Sequence, residues 1–371
     1  MNSLNTTSTT SRKSTTSNTQ PIRAVIIGAN GYGGVELLRL LSQHAQVQIV
    51  SVVSRREAGK PISAVFPQFY DQLIDHDGQP LCFSAMEAVD WAGVDVCFFA
   101  TPHGVAMRQA QTLLDKGIKV IDLSADFRLK NQSQWAHWYK ETHTAPELIA
   151  QAVYGLPELN REALKTATLI ACPGCYPTAI QLGLMPLLKT NRLLQTPIII
   201  DAKSGVSGAG RSANTAMLMA ERSENFSAYA ANGHRHLPEI EQQLSIMAGQ
   251  PDKPVSVIFT PHLLPIHRGI HATLYAQYQK APEDIHNVLS QAYAHEPFVS
   301  VLPIGHHPET RAVRGTNQVQ IAVAYPPNTD YVTLLVVIDN LVKGAAGQAI
   351  QCMNLCFGLP ETTGLRGIIA I

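Results

Sequence analysis

The stretch Ile170-Ala-Cys-Pro-Gly-Cys-Tyr-Pro-Thr178 concentrates residue types that can do covalent chemistry, with Cys175 at its centre. Pro173 and Gly174 enforce a tight turn ahead of that cysteine. Beyond Thr178, residues Ala179, Ile180, Leu182, Leu184 and Leu187 recur at helical spacing, which predicts Cys175 at or just before a helix N-terminus. Unpaired N–H groups and the helix dipole there favour a thiolate over a thiol. The same N–H groups could steady an oxyanion on a carbonyl that the sulfur attacks. The alternative is a buried core cysteine. A thiol nucleophile needs a base, and Asn232-Gly-His-Arg-His-Leu-Pro-Glu239 supplies two imidazoles, His234 and His236, that exchange protons near neutral pH. Spacing alone does not rank them.

The first half of the chain reads as the element that brings a second reactant. Ile22–Ile27 is a short apolar run that enters Gly28-Ala-Asn30-Gly31-Tyr32-Gly33-Gly34, followed by an amphipathic helix pattern from Val35 to Leu41. Strand, glycine turn and helix form the context in which main chain closes on a pyrophosphate at a helix N-terminus. A second apolar run, Val47–Val53, ends in Ser54-Arg55-Arg56. An NAD site places an acid there for the ribose hydroxyls; a hydroxyl and guanidiniums suit a 2′-phosphate, so NADP(H) is expected over NAD(H). The alternative is a solvated loop. Strands are predicted at Val94–Ala100 and Lys119–Leu123, running into Thr101-Pro102-His103-Gly104 and Ser124-Ala-Asp126-Phe-Arg128. Loops at strand C-ends are where an open parallel sheet holds its ligand. Equally, His103 could only cap a helix, and Asp126 and Arg128 could only pair with each other.

After residue 173 the pattern changes. A strand from Pro197 to Ala202 leads into Lys203-Ser204-Gly205-Val-Ser-Gly208-Ala-Gly-Arg211, a loop able to close over an anion or serve as a connector. Strand patterns at 255–260, 270–278, 298–302, 318–325 and 331–338, with helices near 283–294 and 339–357, predict an α+β unit on a mixed or antiparallel sheet. The expected division is a tail over 1–20, a dinucleotide-binding domain over 21–173 and a catalytic and oligomerisation domain over 174–339. A C-terminal helix over 340–371 is expected to pack back on the first domain. The Ser/Thr-rich tail offers only Met1 and Leu4 as apolar residues, too few to bury a surface, so a disordered tail is expected and an organelle leader is the lesser reading of it.

Composition excludes other classes. Twenty-eight basic against 28 acidic residues give no global field for nucleic acid, and no apolar run approaches the ~18 residues of a membrane span. Six cysteines in 371 residues do not form a disulfide framework, which suits a cytoplasmic setting. Cys172-Pro-Gly-Cys175 has thioredoxin-like spacing, but in a much larger chain with a nucleotide motif. His262, His267, His271, His306, His307, Cys352 and Cys356 match no recurrent zinc pattern, and no metal is expected.

The run Ile170–Pro186 resembles the signature of the N-acetyl-gamma-glutamyl-phosphate reductase family. The resemblance extends to the glycine turn, Ala100–Gly104, Ser124–Arg128, Tyr154-Gly-Leu-Pro-Glu158, Ser204–Arg211, His234-Arg-His236 and Asp339-Asn-Leu-Val-Lys-Gly344, nearly everything after residue 20. It implies a Rossmann-type domain plus an α+β catalytic domain, as in semialdehyde dehydrogenases. It also implies NADPH-dependent reduction of N-acetyl-L-glutamyl 5-phosphate to the 5-semialdehyde, with phosphate released, in arginine biosynthesis. Cys175 would form a thioacyl intermediate, and His234 would move the protons with His236 in reserve. Arg128, Arg211, His236 and Arg268 would contact substrate. Cofactor contacts are expected at Gly28, Asn30, Gly31, Tyr32, Gly33, Gly34, Ser54, Arg55, Thr101, Pro102, His103, Ser204, Gly205, Gly208 and Asn317. A homodimer or homotetramer is expected. The competing readings are a phosphorylating aspartate-semialdehyde dehydrogenase, a non-catalytic NADP(H)-binding sensor and a dithiol oxidoreductase.

Overall fold

The computed structural model describes residues 20–75, 77–279 and 283–366. Apart from Gln20, the expected tail lies outside them. Seven strands form a first, wholly parallel sheet: β1 (Ile22–Ile27), β2 (Val47–Val53), β3 (Phe83–Ser84), β4 (Val96–Phe99), β5 (Lys119–Asp122), β6 (Val153–Tyr154) and β7 (Leu169–Ala171). Their order is β3-β2-β1-β4-β5-β7-β6. The apolar runs are continuous because both faces are covered. Ala24 and Ile26 of β1 face one layer of core with Val96 and Phe98 of β4. Val25 and Ile27 face the other with Cys97 and Phe99. Strand order reverses between β1 and β4, so the turns after these two strands flank the crevice where such sheets take ligands.

The second sheet contains β8 (Ile198–Gly205), β9 (Ser227–Ala228), β10 (Val257–Leu264), β11 (Ile270–Gln277), β12 (Val299–Val301), β13 (Val319–Ala324) and β14 (Tyr331–Ile338), in the order β12-β13-β14-β11-β8-β10-β9. Pairing is mixed: β8 with β10 and β12 with β13 run parallel, and the remaining neighbours antiparallel. One face is covered by the helix Cys175–Lys189, which buries Ile180, Leu184 and Leu187 together with Leu274 and Val336. Gly183 sets that approach, since a Cβ there would lie 2.6 Å from Leu274 Cδ1. A methyl group would cost about 1–3 kcal/mol in displaced packing.

The helix expected over 340–371 is shorter. A wide helical turn, Val342–Ala346, leads into the helix Gly347–Cys356, and the chain leaves helical geometry at Phe357. Ala349, Ile350, Cys352, Met353 and Leu355 pack into the core of the first sheet. Gly358 at φ +68° ends it as a left-handed turn that favours glycine. Among the described residues, no helix is long and apolar enough to cross a membrane.

Candidate active site

Cys175 is the first residue of its helix, and Gly174 precedes it in extended geometry (φ −65°, ψ 155°) without a side-chain cap. The helix opens with the N–H of Thr178 on the Gly174 carbonyl at 2.9 Å, reinforced by Thr178 Oγ1 at 3.0 Å. Upstream, Cys172 N–H donates to Asp122 O at 2.8 Å, so the turn leaves directly from the C-ends of β5 and β7. Gly344, from the segment after β14, lies against the nucleophile; a Cβ on it would sit 2.8 Å from Cys175 Cβ.

A buried polar set braces this turn. Glu239, 1% exposed, accepts the Gly174 N–H at 2.9 Å and the Tyr154 hydroxyl at 2.8 Å on Oε1. Gln181 Nε2 donates to the same Tyr154 oxygen at 2.8 Å. Arg128 donates through Nε to Cys172 O and through Nη2 to Leu123 O, each at 2.8 Å, and its Nη1 faces Glu239 Oε2 at 3.5 Å. Sequence reasoning assigned no part to Glu239 or Tyr154. The only local trace of Glu239 is an acid in the first turn of the helix Leu237–Met247, which begins right after the two imidazoles.

Both imidazoles reach this place. The His236 ring rests on Gly174, where a Cβ would be 2.7 Å from Nε2. His234 meets His236 edge-on, ring centres 4.8 Å apart, and is walled by Tyr176, Tyr229 and Phe259. The N–H of His236 donates to His234 Nδ1 at 3.1 Å, which sets the neutral His234 ring with its proton on Nε2. His236 Nδ1 is buried without a partner among the described residues.

Protonation departs from the expected resting thiolate. Cys175 is half-buried, yet burial pushes its thiol up to about 11. The Arg128 charge and the Tyr176 N–H pull the other way and do not prevail. Burial, assisted by the adjacent Arg235 cation, pushes His234 down to about 4, and burial holds His236 well below its ordinary value. Thiol and imidazoles are therefore all neutral at rest near pH 7, because desolvation of the site outweighs the helix dipole. Bringing a reactive group into play requires proton transfer in the complex.

The crevice beside the site fits a dinucleotide. Gly28, at φ +84°, lets the chain pass where a Cβ would strike Ala100 O at 2.5 Å, and Gly34 opens the helix Tyr32–Leu41 close to the turn, where a Cβ would meet Ala29 Cα at 2.4 Å. Gly33 faces open space, Gly31 has only loose neighbours, and the helix has no side-chain N-cap. Its free N–H groups therefore make an anion cradle. Ser54 Oγ, Thr101 Oγ1 and Asn317 Oδ1 are buried without partners among the described residues. Asn317 is otherwise fixed through Nδ2 to Gln351 at 3.0 Å. Pro102 is exposed at the rim, and His103 packs 5.1 Å from the Tyr139 ring. Ser204 and Gly205 end β8 and Gly208 follows in the next turn, a stretch stitched to residues 266–269, where His267 contacts the Tyr32 ring at 5.9 Å.

The three arginines expected as substrate anchors differ in their partners. Arg128 is tied to the cysteine turn as described. Asp126 does not pair with it; its carboxylate caps the helix Ala106–Asp115 through the N–H groups of Gly104 at 2.7 Å and Met107 at 3.0 Å. Arg268 is held by Asp339 at 2.9 Å and Glu36 at 3.3 Å, bridging the two halves. Arg211 reaches the glycine turn. Cys172, three residues before the nucleophile, is 1% exposed and packs beside Cys352.

Residues 23–167 match the family described as semialdehyde dehydrogenase, NAD binding domain, and residues 175–340 match semialdehyde dehydrogenase, dimerisation domain. Among solved structures, the chain is similar to aspartate semialdehyde dehydrogenase II of Vibrio cholerae, with a TM-score of 0.69 at 19% identity over 92% of this chain and 99% of that one. It is also similar to the aspartate semialdehyde dehydrogenase of Candida albicans, with a TM-score of 0.65 at 17% identity over 91% and 98%. At those identities the likeness establishes the semialdehyde dehydrogenase fold. Sequence relatives are much nearer. The N-acetyl-gamma-glutamyl-phosphate reductase of Nitrosomonas europaea is 54% identical over 94% of this chain and 98% of its own length. That of Laribacter hongkongensis is 52% identical over 93% and 98%. With identity at that level running through both domains and the cysteine turn between them, the chain belongs to the N-acetyl-gamma-glutamyl-phosphate reductase family.

Proposed function

We propose that the protein reduces N-acetyl-L-glutamyl 5-phosphate to N-acetyl-L-glutamate 5-semialdehyde with release of phosphate, using NADPH, as a step of arginine biosynthesis. One observation carries the reading: Cys175 opens a helix against Gly344, with His236 of the imidazole pair resting on the preceding Gly174, in a chain 54% identical to a reductase of that name. The Cys175 sulfur bonds to the acyl carbon as the carbon–oxygen bond to phosphate breaks, leaving a thioester on the protein. His234 accepts the thiol proton during attack and passes it to the departing phosphate. N–H groups at the helix start steady the oxygen that becomes negative. Bound NADPH supplies the hydride that converts the thioester to the aldehyde level. The carbonyl then re-forms, the carbon–sulfur bond breaks, and the sulfur leaves as thiolate to be reprotonated from solvent.

His234 serves as the base only if its proton shifts from Nε2 to Nδ1, at the loss of the hydrogen bond from the His236 N–H, whereas His236 Nδ1 is unpartnered at rest. His236 is therefore the second reading. Comparing kcat of His234→Asn and His236→Asn assigns the role to the variant with the larger loss. Ser54, Arg55, Thr101 and Asn317, with the glycine turn, are the proposed NADPH contacts, and the guanidinium at the end of β2 supports NADPH over NADH.

The assay that tests the reading is phosphate-dependent NADP+ reduction with N-acetylglutamate semialdehyde against aspartate semialdehyde. Turnover with the first and not the second is expected. The reverse preference would assign the aspartate pathway enzyme instead, and turnover with neither would favour a sensor. We also propose a homodimer or homotetramer joined through the outer face of the second sheet, where Ile199 and Ile258 are 37% and 53% exposed. Sedimentation at micromolar concentration checks this. All six cysteines are free thiols, which suits the proposed cytoplasmic setting.

A further inference from the structure

Arg211 is carried by the second-domain loop that follows β8, yet its side chain crosses to the first domain. Nη1 donates to the main-chain oxygen of Asn30 at 2.9 Å, and the guanidinium lies 4.8 Å from the centre of the Phe66 ring. Phe66 packs edge-on against Phe83 of β3, ring centres 6.4 Å apart. The next residue of β3, Ser84, accepts the N–H of Ser54 at 3.1 Å. Arg211 thus touches the turn after β1 and rests on Phe66, whose ring packs on β3, the strand that neighbours the C-terminal end of β2. In a parallel sheet of this order, that is where the adenosine ribose of a dinucleotide lies.

We infer that Arg211 is a dinucleotide-binding residue which, with Ser54 and Arg55, takes the 2′-phosphate of NADPH; this rests on the NADPH-dependent reading above. Three observations support it. The end of β2 offers no acid to a ribose hydroxyl, and the nearest one, Glu57, is paired with Lys60 at 2.9 Å. Ser54 Oγ is buried and unpartnered, while Arg55 makes no ion pair among the described residues. A guanidinium stacked on an aromatic face and held at one nitrogen keeps its other donors in a fixed plane, the geometry that phosphate oxygens accept. Because the arginine comes from the opposite domain, NADPH would be held by both halves, with one of its specificity residues outside the dinucleotide-binding domain.

The test is a fluorescence titration of NADPH and NADH against the full chain and its Arg211→Gln and Arg211→Lys variants. For Arg211→Gln the NADPH dissociation constant is expected to rise roughly 10- to 100-fold and that of NADH by less than about twofold. Arg211→Lys, which keeps the charge without the planar fork, should fall between. An unchanged NADPH constant overturns the inference, as does an equal loss for both dinucleotides. A rise in the KM for phosphate in its place would return Arg211 to the acyl-phosphate site. A wild-type chain that binds neither dinucleotide sinks the cofactor reading itself, whereas tight wild-type binding with an indifferent variant sinks this inference alone.

Discussion

The carboxylate of Glu239 accepts the main-chain N–H of Gly174 at 2.9 Å across 65 residues of sequence. One side chain thereby ties the helix that follows the imidazole pair to the turn that presents the nucleophile. Its other oxygen faces the buried Arg128 guanidinium at 3.5 Å.

Replacing that carboxylate separates bracing from binding. Glu239→Gln keeps an acceptor for Gly174 but loses the charge facing Arg128. Its kcat is expected to fall about 10- to 100-fold with little change in the KM for semialdehyde, because misplacement of the sulfur acts on the chemical step. Glu239→Ala should also lose roughly 3–5 kcal/mol of stability, read as a lower midpoint in urea, because it leaves a buried guanidinium without its counter-charge.

Gly344→Ala places a methyl carbon 2.8 Å from Cys175 Cβ, a separation that real side chains do not tolerate. The cysteine must shift. A kcat loss on the order of 100-fold is expected, with the NADPH dissociation constant nearly unmoved, by steady-state kinetics beside fluorescence titration.

The two cysteines of the turn should behave differently. Cys175→Ala is expected to abolish reductase activity. Cys172→Ala should retain most of it, since only the main chain of Cys172 joins the bracing network. Equal loss in both variants would favour dithiol chemistry.

The raised Cys175 thiol makes alkylation a pH gauge. With the thiol near 11 and His234 near 4, the uncomplexed site holds almost no thiolate at neutral pH. The iodoacetamide rate at the Cys175 peptide, read by mass spectrometry, should climb about tenfold per pH unit from pH 6 to 9. A rate flat across that range would mean a preformed thiolate–imidazolium pair.

The first half of the fold was legible because strands buried on both faces are written as unbroken apolar runs. β1 and β2 begin and end where those runs do, as does β14 in the second sheet. The stretch from Gln132 to Thr166 was not, since it holds short polar helices and a two-residue strand, β6, with no period to read. In the site, Cys175 announced itself through local turn and helix chemistry. Glu239, Gly344 and the protonation state did not, because they depend on segments far apart in sequence that meet only in the folded chain. The partners of the arginines were hidden for the same reason. Charge is visible in a sequence, whereas the Glu36 and Asp339 carboxylates that occupy Arg268 are not.

The central claim is a covalent thioester on one sulfur. Mixing the protein with N-acetyl-L-glutamyl 5-phosphate while withholding NADPH, then mapping peptides by mass spectrometry, tests it directly. An N-acetylglutamyl adduct on the peptide carrying Cys175, absent from Cys175→Ala, is the predicted result. An unmodified peptide under conditions where added NADPH restores turnover would contradict it.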